Sequence, residues 1–170
     1  LNKLGKISIR ILQNIPKMDD NALSRLFINA QRLLHKNPEN QDAISVIEAI
    51  KTEWEKRLRE FRVGKHKASS PEQGVLSVVG YKVGNEGEKT SFRRQLLDYI
   101  MTDTLPFVGS PAHMAEWGEK LTRSRYIKLH RVIRLLASSG RTMGNMDKAV
   151  SEWEDDLEYL EEKWAPKVNA

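Results

Sequence analysis

The chain has no cysteine. That excludes disulfides, thiolate metal sites and cysteine nucleophiles, and it suits a reducing, cytoplasmic compartment. Long apolar runs are missing too. The longest are fragments such as Val75-Leu76 and Leu135-Leu136-Ala137, far short of the roughly 20 residues a membrane-spanning helix needs, so no membrane partner is expected. The first residue is Leu1 rather than methionine, and it says nothing about a leader.

Catalytic and metal signatures are equally scarce. His35, His66, His113 and His130 show no ligand spacing, and no HExxH is present. No nucleophile elbow supports a serine triad. Glu152, Glu154, Asp155, Asp156 and Glu158 lie on the polar face of one expected helix, whereas a metal site needs ligands converging from several elements. The segment Gly80 to Thr90 ends in Lys89-Thr90 like a phosphate loop. However, Glu88 intrudes between Gly87 and Lys89, no strand leads in, and Glu86 and Glu88 would repel phosphate. It reads as a glycine turn. No enzyme, cofactor, metal or small-molecule site is expected.

What is present is an ordinary packable composition, 39% hydrophobic and 30% charged, with a formal charge of +5. The distribution is uneven. Residues 1–70 carry 14 Lys and Arg against 8 Asp and Glu, and residues 71–170 carry 14 against 15. Within the second part lie two opposed blocks. Residues 119–141 hold seven bases and one acid, while residues 147–164 hold eight acids and two bases.

The periodicity is helical throughout. Residues 1–15 fit a strand through Ile7, Ile9 and Ile11 or a helix through Leu4, Ile7, Ile11 and Ile15, and the lack of a partner strand favours the helix. Asp19 or Asp20 caps a helix with the stripe Leu23, Leu26, Phe27, Ala30, Leu33 and Leu34. Asn37-Pro38 breaks it, and Pro38 opens a second helix carrying Ile44, Ile47, Ile50, Trp54, Leu58 and Phe61. The short link implies an antiparallel hairpin. Asn37 to Asn40 resembles a tetratricopeptide junction, but no second copy follows at the repeat period, which argues against a solenoid.

Residues 64–70 read as a linker. Ser70 and Gln73 form a capping box with Pro71 at the first helical position. Thr90 or Ser91 caps a helix with Phe92, Leu96, Leu97 and Ile100 inward. A short helix opens at Ser110-Pro111 and stops at Gly118. Thr122 then caps a long basic helix running to about Gly140. After Gly144 a final helix carries the seam Met146, Val150, Trp153, Leu157, Leu160 and Trp164. The fold class is all-α: an N-terminal helical hairpin over 1–63, a linker over 64–70, and a multi-helix bundle over 71–170 containing a helix-turn-helix-like pair.

The helix from Thr122 carries the main functional expectation. Tyr126, Leu129, Val132, Ile133 and Leu136 share one arc, with Arg123, Lys128, Arg131, Arg134 and Arg141 opposite. A guanidinium fork donates two hydrogen bonds to phosphate and stays charged. Arg123, Arg125, Lys128, Arg131 and Arg134 are the expected nucleic-acid contacts. The alternative is that the acidic final helix packs antiparallel and neutralises them within the chain. Arg93 and Arg94 sit where they oppose a helix dipole, so either an acidic neighbour or an external phosphate favours them; they are the remaining candidates. A protein partner for the acidic final helix or for the N-terminal hairpin is the competing expectation.

Four groups of residues carry a resemblance: Leu76 to Gly84; Arg93-Arg94-Gln95-Leu96-Leu97-Asp98; Glu116-Trp117-Gly118; and Ala149 to Leu160. In this order they resemble a C-terminal helical module of uncharacterised bacterial proteins. The resemblance covers residues 71–164. It implies a bacterial origin and a recurrent fold, and it transfers no activity to any residue.

Overall fold

The computed structural model describes residues 3–63 and 74–169, with the backbone alone for residues 3–8. The protein is all-α, and the described residues contain no strand element. The expected linker over 64–70 and the Ser70–Gln73 capping box lie outside the described residues. The chain forms two compact units. One comprises residues 1–80 and 104–111, and the other residues 81–103 and 112–170. The division differs from the expected boundaries at 63 and 71, because the helix before Gly80 and the loop 104–111 both belong to the first unit.

In the first unit, α1 (Lys3–Asn14) runs into a 3-10 turn at Ile15–Lys17. Helices α2 (Asp20–Lys36) and α3 (Gln41–Arg59) form the hairpin. Asp19 caps α2 by accepting the Ala22 N–H at 2.7 Å. Pro38 does not start α3: Asn40 caps it, accepting the Ala43 N–H at 3.0 Å. The stripes meet as their period requires, with Leu23, Phe27, Ile50 and Trp54 buried and the Phe27 and Trp54 rings 5.1 Å apart. Arg57 pins the hairpin by donating to Glu53 (2.8 Å), Asp20 (3.0 Å) and the Met18 carbonyl (2.6 Å). The short α4 (Gly74–Val79) lies on α2, where Ser24 donates to the Val78 carbonyl at 2.7 Å. Phe107, from the loop 104–111, meets the edge of Phe61.

In the second unit, α5 (Thr90–Thr102), α7 (Arg123–Thr142) and α8 (Asp147–Lys163) surround a core of Leu96, Leu97, Ile100, Leu129, Ile133 and Leu160. Helices α6 (Pro111–Ala115) and α9 (Ala165–Val168) are short. Burying one such aliphatic side chain contributes about 1.5–3 kcal/mol. Lys89, which offers no side-chain bond, precedes α5 in place of the expected Thr90 or Ser91 cap. Gly140 does not end α7. A Cβ there would lie 2.8 Å from Val150 and 2.9 Å from Trp153, so the glycine lets α8 approach rather than breaking the helix. No described helix is long and apolar enough to cross a membrane.

Candidate nucleic-acid interface

The interface is built on α7. Thr122 caps it as expected, accepting the Arg125 N–H at 3.3 Å, and the preceding turn uses Gly118 at φ +63°. Of the expected helix-turn-helix pair only α7 is substantial. The first helix, α6, has five residues and no buried side chain.

The seven candidate residues separate sharply. Arg125 is buried, and its guanidinium acts as a clamp on backbone carbonyls. It donates to Ile100 (2.6 Å), Gly118 (2.9 Å), Trp117 (3.1 Å) and Asp103 (3.1 Å). Burial is the leading cause that pulls its pKa below the usual value. The expectation that Arg125 meets phosphate is therefore corrected: it satisfies carbonyls left over at the end of α5 and in the turn before α7.

Arg93 is corrected in the same way. Only 1% exposed, it bonds Asp156 at 2.8 Å, Glu152 and the Glu88 carbonyl. Tyr81 completes the cluster by donating to Asp156 at 2.6 Å. Burial disfavours the Arg93 charge, but the hydrogen bond and charge of Asp156 outweigh it and hold the guanidinium above its ordinary pKa. The acidic neighbour anticipated as one explanation for a base at this helix start is thus α8. Arg94 lies over the Tyr159 ring, 4.7 Å from its centroid, and its Nε is buried without a hydrogen-bond partner among the described residues. Arg93 thus extends no outward phosphate surface, while Arg94 is half-buried on the Tyr159 ring.

Lys128 is half-buried and bonded to Glu116 at 2.8 Å. That bond is the leading reason the Glu116 carboxyl sits below its ordinary pKa. Arg123, Arg131 and Arg134 are exposed, and no carboxylate among the described residues pairs with them. Helix α8 does pack against α7, and it takes up Arg141 through Glu154 and His130 through Glu161 (2.8 Å). Its remaining acids do not reach the outer face of α7. Neutralisation within the chain is therefore partial.

The buried face of α7 is narrower than its sequence arc. Leu129 and Ile133 are buried, but Leu136 is exposed, as are Ile127 and Leu135 on the outer side. Along the seam, Trp153 and Leu160 of α8 and Trp164 just after it are buried in their own unit, while Met146, Val150 and Leu157 are half-buried.

The Gly80–Thr90 segment is a turn, with Gly80 and Gly84 at positive φ and Gly87 donating to the Gly84 carbonyl at 3.0 Å. It borders a shallow hollow of about 470 Å³. Its charged lining is Glu88 and Glu152 with Lys89, Lys148 and Arg93, the last already bonded to Glu152. No group of three or more potential metal ligands occurs among the described residues.

Sequence reasoning missed the Arg125 clamp and the Tyr81–Arg93–Asp156–Glu152 cluster. The signal for the second was the pairing of a misplaced N-terminal base with an acid-rich helix. For the first, nothing in the linear pattern separated Arg125 from its neighbours. Comparison with protein-family models, with curated proteins and with solved structures found no match for this chain.

Proposed function

We propose that this chain is a non-catalytic nucleic-acid-binding or accessory module of a bacterial cytoplasmic protein, contacting phosphates through α7. One observation supports it above others: Arg123, Arg131 and Arg134 remain exposed without carboxylate partners among the described residues although an acid-rich helix packs alongside. Lys128 and Arg141 add to the face, because exposed ion pairs such as Lys128–Glu116 are worth only about 0.2–1 kcal/mol and give way to phosphate. In this reading α6 and α7 keep a helix-turn-helix order, with the contacts on α7. Bases are read little, since α7 carries no Asn or Gln to pair with adenine edges.

A second reading, protein interaction, draws support from Ile127 and Leu135. They are 41% and 58% exposed on the same face, and aliphatic side chains contribute nothing to phosphate binding.

Fluorescence anisotropy with labelled duplex DNA, single-stranded DNA and RNA across a salt series tests the first reading. Binding should weaken linearly in log–log form, by about 0.9 in slope per phosphate neutralised on duplex DNA. Absence of binding to all three at low salt would overturn it.

A further inference from the structure

The outer face of α7 has a counterpart on the same molecule. Ile127, Arg131, Arg134 and Ser138 are all exposed and follow one another at spacings of four, three and four residues. Those spacings place them in one straight stripe along a helix. On α8, Ser151, Asp155, Glu158 and Glu162 repeat the same spacings and are likewise all exposed. No basic side chain among the described residues pairs with Asp155, Glu158 or Glu162. The two stripes cannot meet within one chain, because α7 and α8 already pack through their opposite faces, around Ile133, Ala137, Gly140 and Trp153.

We propose that the basic stripe of α7 docks on the acidic stripe of α8 in a second copy of this chain. Set antiparallel, the stripes place Arg131 against Glu158 and Arg134 against Asp155. Ser138 then faces Ser151, two small residues that let the helices approach. Ile127 lies along the aliphatic stem of Glu162, and Leu135, 58% exposed beside the two arginines, supplies apolar contact at the rim. After such a contact one copy keeps a free acidic stripe and the other a free basic stripe, so the interface is heterologous and extends to further copies unless the geometry closes a ring. The core of the contact is ionic, which makes the association weak, reversible and sensitive to salt.

This inference stands apart from the phosphate reading but shares Arg131 and Arg134 with it, so nucleic acid and a second copy compete for one face. Sedimentation velocity of the full chain without nucleic acid, at about 10 mM and about 500 mM salt, separates the two readings. The weight-average mass should rise above the 19.5 kDa of one chain with increasing concentration at low salt and return to it at high salt. R131E/R134E and D155K/E158K should each sediment as single chains, with circular dichroism checking that each is folded. Mixed in equal amounts they should associate again, because the intact acidic stripe of the first variant meets the intact basic stripe of the second. The D155K/E158K variant should still bind nucleic acid wherever the wild type does, so failure of one reading leaves the other standing. Single-chain sedimentation of the wild type at low salt up to hundreds of micromolar, or no recovery on mixing, would overturn the proposal.

Discussion

Arg125 and Arg131 lie six positions apart on one basic helix, yet their surroundings give them opposite roles. Arg125 is folded onto four carbonyls, and each buried carbonyl left unpaired costs about 1–3 kcal/mol. Arg125→Met should therefore lower unfolding stability in urea by about 3 kcal/mol or more, with Arg125→Lys intermediate. A loss below about 1 kcal/mol would mean the carbonyls find other partners. Tyr81 gives a pH test at the same scale. Burial first, then the Asp156 charge, pushes its phenol well above the ordinary value. A raised folded-state pKa contributes stability that is complete below the unfolded value of about 10 and is lost as pH rises beyond it. Tyrosinate absorbance should thus show Tyr81 ionising only as the chain unfolds in alkali. In Tyr81→Phe that late step should be missing and the decline in stability above about pH 10 shallower.

At the scale of elements, Gly140, close to the expected end of α7, is explained by packing. Glycine inside a helix costs about 1 kcal/mol relative to alanine, which is why it looks like a terminus. Here α7 continues through it to Thr142, because Val150 and Trp153 of α8 occupy the space of its missing side chain. Gly140→Ala should destabilise by about 1–2 kcal/mol despite its better helix propensity, since the indole cannot simply step aside. Gly144→Ala, with nothing within 4 Å, should be close to neutral when the two variants are compared by thermal unfolding. Helices α2, α3, α5, α7 and α8 were legible because their apolar spacing matches the helical period and Asp19 and Thr122 announce two of the starts. Arg93 was marked by its place at a helix start, which left an acidic neighbour and an external phosphate as alternatives, whereas nothing local marked Arg125, whose partners are backbone carbonyls. The antiparallel pairing of basic and acidic helices was anticipated from their charge. Its incompleteness on the outer face depends on which helical side each residue occupies once packed.

For the whole molecule, the formal charge of +5 overstates what is presented to a partner. Two of the seven candidate bases are consumed by the fold, a third is laid on an aromatic ring, and Lys128 is paired. What remains without a carboxylate partner among the described residues is a group of three arginines on one helix, which Lys128 joins when phosphate displaces Glu116. Phosphate binding should follow this group and not the overall charge. Anisotropy at fixed low salt decides between the two by comparing wild type, R123E/R131E/R134E, and a control triple charge reversal placed on the first unit at Arg25, Arg32 and Lys36. All three control positions are exposed, and the net charge change is identical. The α7 variant should lose binding by tenfold or more while the control stays within a few-fold of wild type. Equal losses in the two variants would rule out a dedicated α7 surface, because binding would then follow net charge alone.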